Sequence, residues 1–127
     1  MMMKKIFLLL GILIVFSSCR TFTYTYKKIN IDNPDLNNEI KIKDENKKGV
    51  YKLYCKIDGK VNDVIEMELT NEDGTGSYKI IPKNGRIKFI YDADWYENEF
   101  KIRIFSNNTP GGYINIAYNF YSSLYKY

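Results

Sequence analysis

From Glu39 onward the chain alternates apolar and polar residues with a period of two, and this pattern does most to narrow its possible folds. Tyr51, Leu53, Cys55 and Ile57 alternate with Lys52, Tyr54 and Lys56, and Ile65, Met67 and Leu69 with Glu66, Glu68 and Thr70. Ile87, Phe89 and Tyr91 alternate with Lys88, Ile90 and Asp92, and Phe100, Ile102 and Ile104 with Lys101 and Arg103. Ile114, Ile116, Tyr118 and Phe120 alternate with Asn115, Ala117 and Asn119. Successive side chains of a strand point to opposite faces, so each run offers one face to a core and one to water. No segment carries an apolar stripe at helical spacing.

Turn chemistry separates the runs at Asp58-Gly59, Asp73-Gly74, Asn84-Gly85 and Pro110-Gly111-Gly112. With Glu39–Lys43 and Ser77–Pro82 added, the pattern predicts about seven short strands. Evenly spaced short strands bounded by turns predict an all-β fold, a small antiparallel β-sandwich that is immunoglobulin-like in the loose architectural sense. A small β-barrel is the alternative. The Cys…Trp…Cys spacing of true immunoglobulin domains is absent from the sequence.

The N-terminus carries a different signal. Lys4 and Lys5 precede an unbroken apolar run of 11 residues, Ile6 to Phe16, followed by Ser17, Ser18 and Cys19. As a helix the run would be about 17 Å long, too short for a hydrocarbon core of about 30 Å and suited to the apolar core of an export signal. The ending Phe16-Ser17-Ser18-Cys19 resembles the signal peptide of bacterial lipoproteins. That resemblance implies a lipid-modified Cys19 as the mature N-terminus and a membrane-anchored, extracytoplasmic protein on the periplasmic or cell-surface side. It implies removal of residues 1–18, a lipidated cysteine with a tether over residues 19–38, and one β-sandwich domain over residues 39–127. Fully extended, residues 20–38 would reach about 65 Å. The Thr/aromatic alternation from Thr21 to Tyr26 suits an edge strand equally well.

Loss of Lys4 and Lys5 with the signal turns 19 basic and 15 acidic residues into 17 and 15, so the working protein is only weakly basic. Its charges are interspersed and show no nucleic-acid footprint. Lys, Asn, Ile and Tyr are abundant, as codons of a low-GC genome would make them, which discounts any argument from tyrosine number alone. The absence of histidine from the sequence removes Ser–His and Cys–His nucleophile pairs and histidine-rich metal sites, so no enzymatic activity is expected. With Cys19 acylated, Cys55 stands alone, on the alternation face of Leu53 and Ile57, and reads as a small core residue.

The densest polar cluster is Asp92-Ala93-Asp94-Trp95-Tyr96-Glu97-Asn98-Glu99. Its carboxylates suit a hard cation such as calcium, which takes six to eight oxygens, although no calcium-loop spacing is present. Paired carboxylates also serve glycoside hydrolysis. An exposed Trp95–Tyr96 pair would stack on a sugar or anchor a partner protein; alternatively, Trp95 plugs the end of the sandwich while Tyr96 keeps its hydroxyl in water. The candidate ligand-binding residues are therefore Trp95, Tyr96, Asp92, Asp94 and Glu97.

Among the tyrosines, Tyr51, Tyr91 and Tyr118 fall on predicted inward faces, and Tyr54, Tyr113 and Tyr121 on outward ones, with Tyr125 and Tyr127 beyond. A contiguous outward set would make a binding surface. Asn71-Glu72-Asp73-Gly74-Thr75-Gly76 reads as a hairpin turn, and Asn107-Asn108-Thr109 matches a glycosylation triplet without meaning in a bacterial lipoprotein. The expected protein is a lipid-anchored envelope module without a cofactor other than the covalent lipid on Cys19. It would bind glycan or protein, or serve as an accessory subunit of a larger envelope complex.

Overall fold

The computed structural model describes residues 24–125, so the expected export signal and Cys19 lie outside the described residues. Six strands form one antiparallel sheet: β1 (Thr25–Asn30), β2 (Glu39–Lys43), β3 (Lys47–Thr70), β4 (Ser77–Ile80), β5 (Arg86–Asp94) and β6 (Glu99–Tyr125). Two of them, β3 and β6, are far longer than the usual strand of about five or six residues. They pair with each other from Lys47↔Tyr125 to Thr70↔Lys101. Each carries two short strands on its other edge. The first half of β3 pairs with β5 and its second half with β4, while β2 and β1 line successive halves of β6.

The long pair bends in the middle. Register shifts occur between Asn62 and Val64 and again between Val64 and Glu66, opposite the stretch from Gly111 back to Ser106. Asp63 takes a left-handed conformation there (φ 60°). Bulges of this kind sharpen the local twist and let a strand pass from one layer of a sandwich to the other. The result is two layers made from one folded sheet: β1, late β6, early β3 and β5 in the first, and β2, early β6, late β3 and β4 in the second. The expected sandwich is what the chain forms.

Apolar positions from both layers meet between them. Leu53, Cys55, Ile57, Ile87, Ile114, Ile116 and Phe120 come from the first layer, and Ile40, Ile42, Met67, Leu69, Phe100 and Ile102 from the second; all are buried. The Phe100 ring stands 5.6 Å from Tyr118 and 5.7 Å from Phe120 across the gap. Tyr78 of β4 reaches Tyr91 of β5 in the same way, at 4.7 Å. Tilted and edge-on aromatic pairs at these distances contribute beyond the area they bury.

Four sequence expectations need correction. The seven strands are six: two predicted pairs are each a single long strand, which leaves five, and β1 adds one that lay in the expected tether. Asp58-Gly59 is therefore no turn: Asp58 pairs with Lys88 and Asn115, and Gly59 with Ile87 and Ile114. A Cβ at Gly59 would overlap the Tyr113 carbonyl oxygen, so glycine there marks a close backbone approach inside the sheet. Pro110-Gly111-Gly112 likewise lies within β6 at the bend, and Gly112 (φ 108°) sits against the Lys60 carbonyl. Asp73-Gly74 and Asn84-Gly85 do fall in the connections between strands.

The tether also shortens. Thr25–Asn30 pairs with β6 as an edge strand, the Ile31 N–H donates to the Gly112 carbonyl at 3.0 Å, and Ile31 is buried. A 3-10 turn at Pro34–Leu36, capped by the Asn33 side chain, leads into β2. The domain thus includes at least residues 25–38 of the expected tether, because burial of Ile31 and the β1 ladder outweigh the freedom of that polar segment. Finally, Tyr51 is exposed rather than core, and so is Ile65. Val50 pairs with Ser122 and Lys52 with Tyr121, which leaves Tyr51 as the extra residue of a bulge. One extra residue reverses the inward face for everything before it.

Replacing Phe100 with alanine should destabilise the domain by about 3–5 kcal/mol in urea titrations, the range for a large aromatic cavity. Tyr51→Ala, at its bulge, should change stability by no more than about 0.5 kcal/mol.

Candidate functional site

The cluster from Asp92 to Glu99 spans the end of β5 and the start of β6, and its side chains diverge. Asp92 points out from the first layer and pairs with Lys52 at 3.0 Å, which holds the lysine ammonium above its usual value. Asp94 is exposed; its side chain receives a long hydrogen bond from the Tyr96 hydroxyl (3.4 Å), and its carbonyl accepts from the Tyr91 hydroxyl at 2.6 Å. Glu97 accepts from the Glu72 N–H at 3.0 Å. Glu99 is buried and faces the Lys41 ammonium of β2 at 3.1 Å. Among the described residues no three acidic or cysteine side chains converge as metal ligands. The break between strands explains the scatter: Asp92 and Asp94, two apart on β5, share its outer face, whereas Glu97 lies in the connection and Glu99 starts β6.

Trp95 is buried, 5.5 Å from Tyr91 in an edge-on contact, with its indole N–H donating to the Glu99 carbonyl at 3.0 Å. It closes the end of the core as a plug, and its ring faces are not presented to solvent for stacking. Tyr96, by contrast, is 75% exposed. The β3–β4 loop comes up beside it, so the two polar loops that are separate in sequence share one groove of about 290 Å³. Asn71, Asp73, Thr75, Tyr96 and Glu97 line it. Asn71 and Asp73 spend their oxygens on Thr75 and Gly76 within the loop, and the Thr75 hydrogen bonds hold the Asp73 carboxyl below its usual range. The groove is acidic and polar, and most of its side chains already serve the loops that form it.

A second site emerges from the outward tyrosines. Tyr54, Tyr113 and Tyr121 share the outer face of the first layer with Tyr24 and Tyr26, whereas Trp95 lies on the other side of the sheet. Tyr24 and Tyr54 stand 5.1 Å apart, and a hydrogen bond to Tyr121 raises the Tyr24 phenol. Lys28 lies over the Tyr113 ring at 4.7 Å and Lys52 over Tyr121 at 5.3 Å. Between Tyr26 and Tyr113 the face is concave. Two adjoining depressions of about 640 and 410 Å³ share Lys56 and Asp58. Lys60, Arg86, Lys88, Ile90 and Tyr113 complete the larger one.

This surface was only half legible in the sequence. Alternation identifies Tyr54, Tyr113 and Tyr121 as outward, but only the β1–β6–β3–β5 order makes them neighbours. Tyr26 belongs to β1, and Arg86 joins only through its register with Lys60. The signal that could have found them is the edge-strand reading of residues 21–26.

Cys55, the free cysteine of the described residues, is buried in the core, and desolvation pushes its thiol up to about 12. It offers no nucleophile at neutral pH. Among the described residues no helix is long and apolar enough to cross a membrane. Compared with known proteins, the chain matches no family model and no curated protein.

Two outcomes follow for these residues. Trp95→Phe should cost about 1–2 kcal/mol through the lost hydrogen bond to Glu99, whereas Tyr96→Ala should leave the urea midpoint nearly unchanged. Native protein at pH 8 should not react with a thiol reagent at Cys55 until it unfolds. Because the folded thiol titrates above its ordinary value of 9.0, the Cys55 contribution is complete below that pH. It falls away as pH rises towards about 12, and unfolding titrations across that window should show the loss.

Proposed function

We propose that the protein is a lipid-anchored, non-enzymatic binding module of the cell envelope, working through the concave outer face of its first layer. The observation that carries this reading is that Lys56, Lys60, Arg86, Lys88 and Tyr113 line one depression with Tyr26 at the depression beside it, while the acids of the Asp92–Glu99 segment are dispersed. The absence of histidine and the inaccessible Cys55 thiol support a binding rather than a catalytic role.

Attachment would come from acyl chains on Cys19. One buried chain holds a protein only reversibly, and two or three anchor it stably. Four residues separate Cys19 from Tyr24, the first described residue, and at full extension the five steps between the two reach about 17 Å. A module anchored this way rides close to the bilayer instead of sweeping a wide radius on a long tether. Tyr24 stands at the edge of the proposed binding face, so the anchor would also limit how that face is turned.

Labelling cells with radioactive palmitate should mark the protein, and membrane fractions should retain it. Cys19→Ser should lose both the label and the membrane association. A wild-type protein that stays unlabelled and soluble would overturn the anchor.

A further inference from the structure

We propose that the concave outer face of β1, β6, β3 and β5 seats an anionic polysaccharide chain. This names the ligand class for the surface proposed above and rests on that reading. The argument begins with charges that lack partners. Lys56, Lys60, Arg86 and Lys88 line the larger depression, and none forms a salt bridge among the described residues. Asp58, the acid among the lining residues, accepts from the Asn115 amide instead.

The lysine-rich background of the chain does not account for this, because the outer face of the second layer is neutralised. There, Glu39, Arg103, Glu68 and Lys79 follow one another across four strands in alternating sign. Lys41 and Lys101 face each other across β2 and β6, but Glu99 and Glu39 answer them at 3.1 and 3.9 Å. On the first layer, Lys60 sits directly across from Arg86 with no such answer. Like charges opposite each other in a sheet are destabilising. Lys88 has Asp58 directly across from it, but Lys56 faces only Ile90 and Ala117. A face that keeps the Lys60–Arg86 pair and leaves Lys56 beside it suits an anion that arrives from outside.

Shape and the remaining side chains select the kind of anion. A bilayer is flat on this scale and would bridge a trough without filling it, whereas a chain lies in it. The floor is strand surface: Ile57 to Lys60 of β3 and Arg86 to Ile90 of β5 line the larger depression, and Ala117, directly across from Lys56, lines the smaller one. It lacks the deep apolar pocket in which a protein hot spot buries its anchor. Exposed Tyr26 offers a ring face on one side, and half-exposed Tyr113 offers another deeper in the trough. Aromatic faces with cations spaced between them suit sugar rings that carry regularly spaced carboxylates. Strands about 4.8 Å apart, with outward residues about 6.8 Å apart along each, make the face about 14 Å in each direction. That is room for a short run of sugars.

The test uses the purified full-length protein in neutral detergent, with immobilised polygalacturonate as the anionic probe and dextran as the neutral one. The protein should bind polygalacturonate and not dextran, with affinity falling at least about tenfold between about 50 and 200 mM salt as counterions return. Lys60→Gln with Arg86→Gln should weaken binding about tenfold while raising the melting temperature, since the unfavourable pair is gone. Lys79→Gln on the other layer should leave binding unchanged. The proposal is overturned if dextran binds as well as polygalacturonate, or if the Lys60/Arg86 variant binds normally. It is also overturned if phosphatidylglycerol vesicles bind the detergent-free protein while polygalacturonate does not. A neutral glycan lost on Tyr113→Ala but kept by the Lys60/Arg86 variant would remove only the anionic specificity and leave this face as the binding surface. Envelope binding untouched by either variant would remove the surface itself.

Discussion

Everything in this domain hangs on the antiparallel pairing of β3 with β6. These two strands run through both layers, and every other strand is attached to one of them. Their shared bend, made by the slips around Val64 and the left-handed Asp63, converts a single sheet into two facing ones. The core exists only because of that fold: Phe100 meets Tyr118 and Phe120 although all three belong to β6. Gly59 and Gly112 belong to the same device. They allow the two backbones to come together close to the bend, where a side chain would collide with the opposite carbonyl.

The same ladder decides where charge collects. Strand register brings Lys60 against Arg86 on one outer face and sets Glu39, Arg103, Glu68 and Lys79 in compensating order on the other. Composition is similar along the chain, yet one face is internally neutral and the other is not. If Cys19 is acylated as proposed, Tyr24 lies within about 17 Å of the membrane, and the cationic face meets whatever fills the space just above the bilayer. The polar groove at the end of the sandwich shows a contrasting economy. There Glu97 ties the Asn71–Gly76 loop to the β5–β6 connection, and Trp95 seals the core beneath it.

The alternation read well wherever a strand kept its register. Leu53 to Ile57, Ile102, Ile114 to Phe120 and the Glu39–Lys43 strand are as the pattern gives them. It failed at the bulges. Tyr51 and Ile65 are apolar residues in phase with buried neighbours, and a single inserted residue turns each to solvent. Glycine misled for a related reason: Asp58-Gly59 has the composition of a turn, but its glycine serves a close approach within a strand. Local chemistry cannot separate the two uses, because both require the same missing Cβ.

Two levels of information are therefore distinct. By itself the sequence determined the all-β class, the inward face of most strands, the burial of Cys55 and the lack of histidine chemistry, since these depend on side-chain identity and a local period of two. The tertiary structure alone decided that two pairs of predicted strands are single bent strands, that Thr25–Asn30 belongs to the sheet, and that Trp95 faces inward. It also decided which outward tyrosines and cations share a surface. Those outcomes depend on pairing between segments far apart in the chain, where register and bulges, not local preference, set which side chains become neighbours.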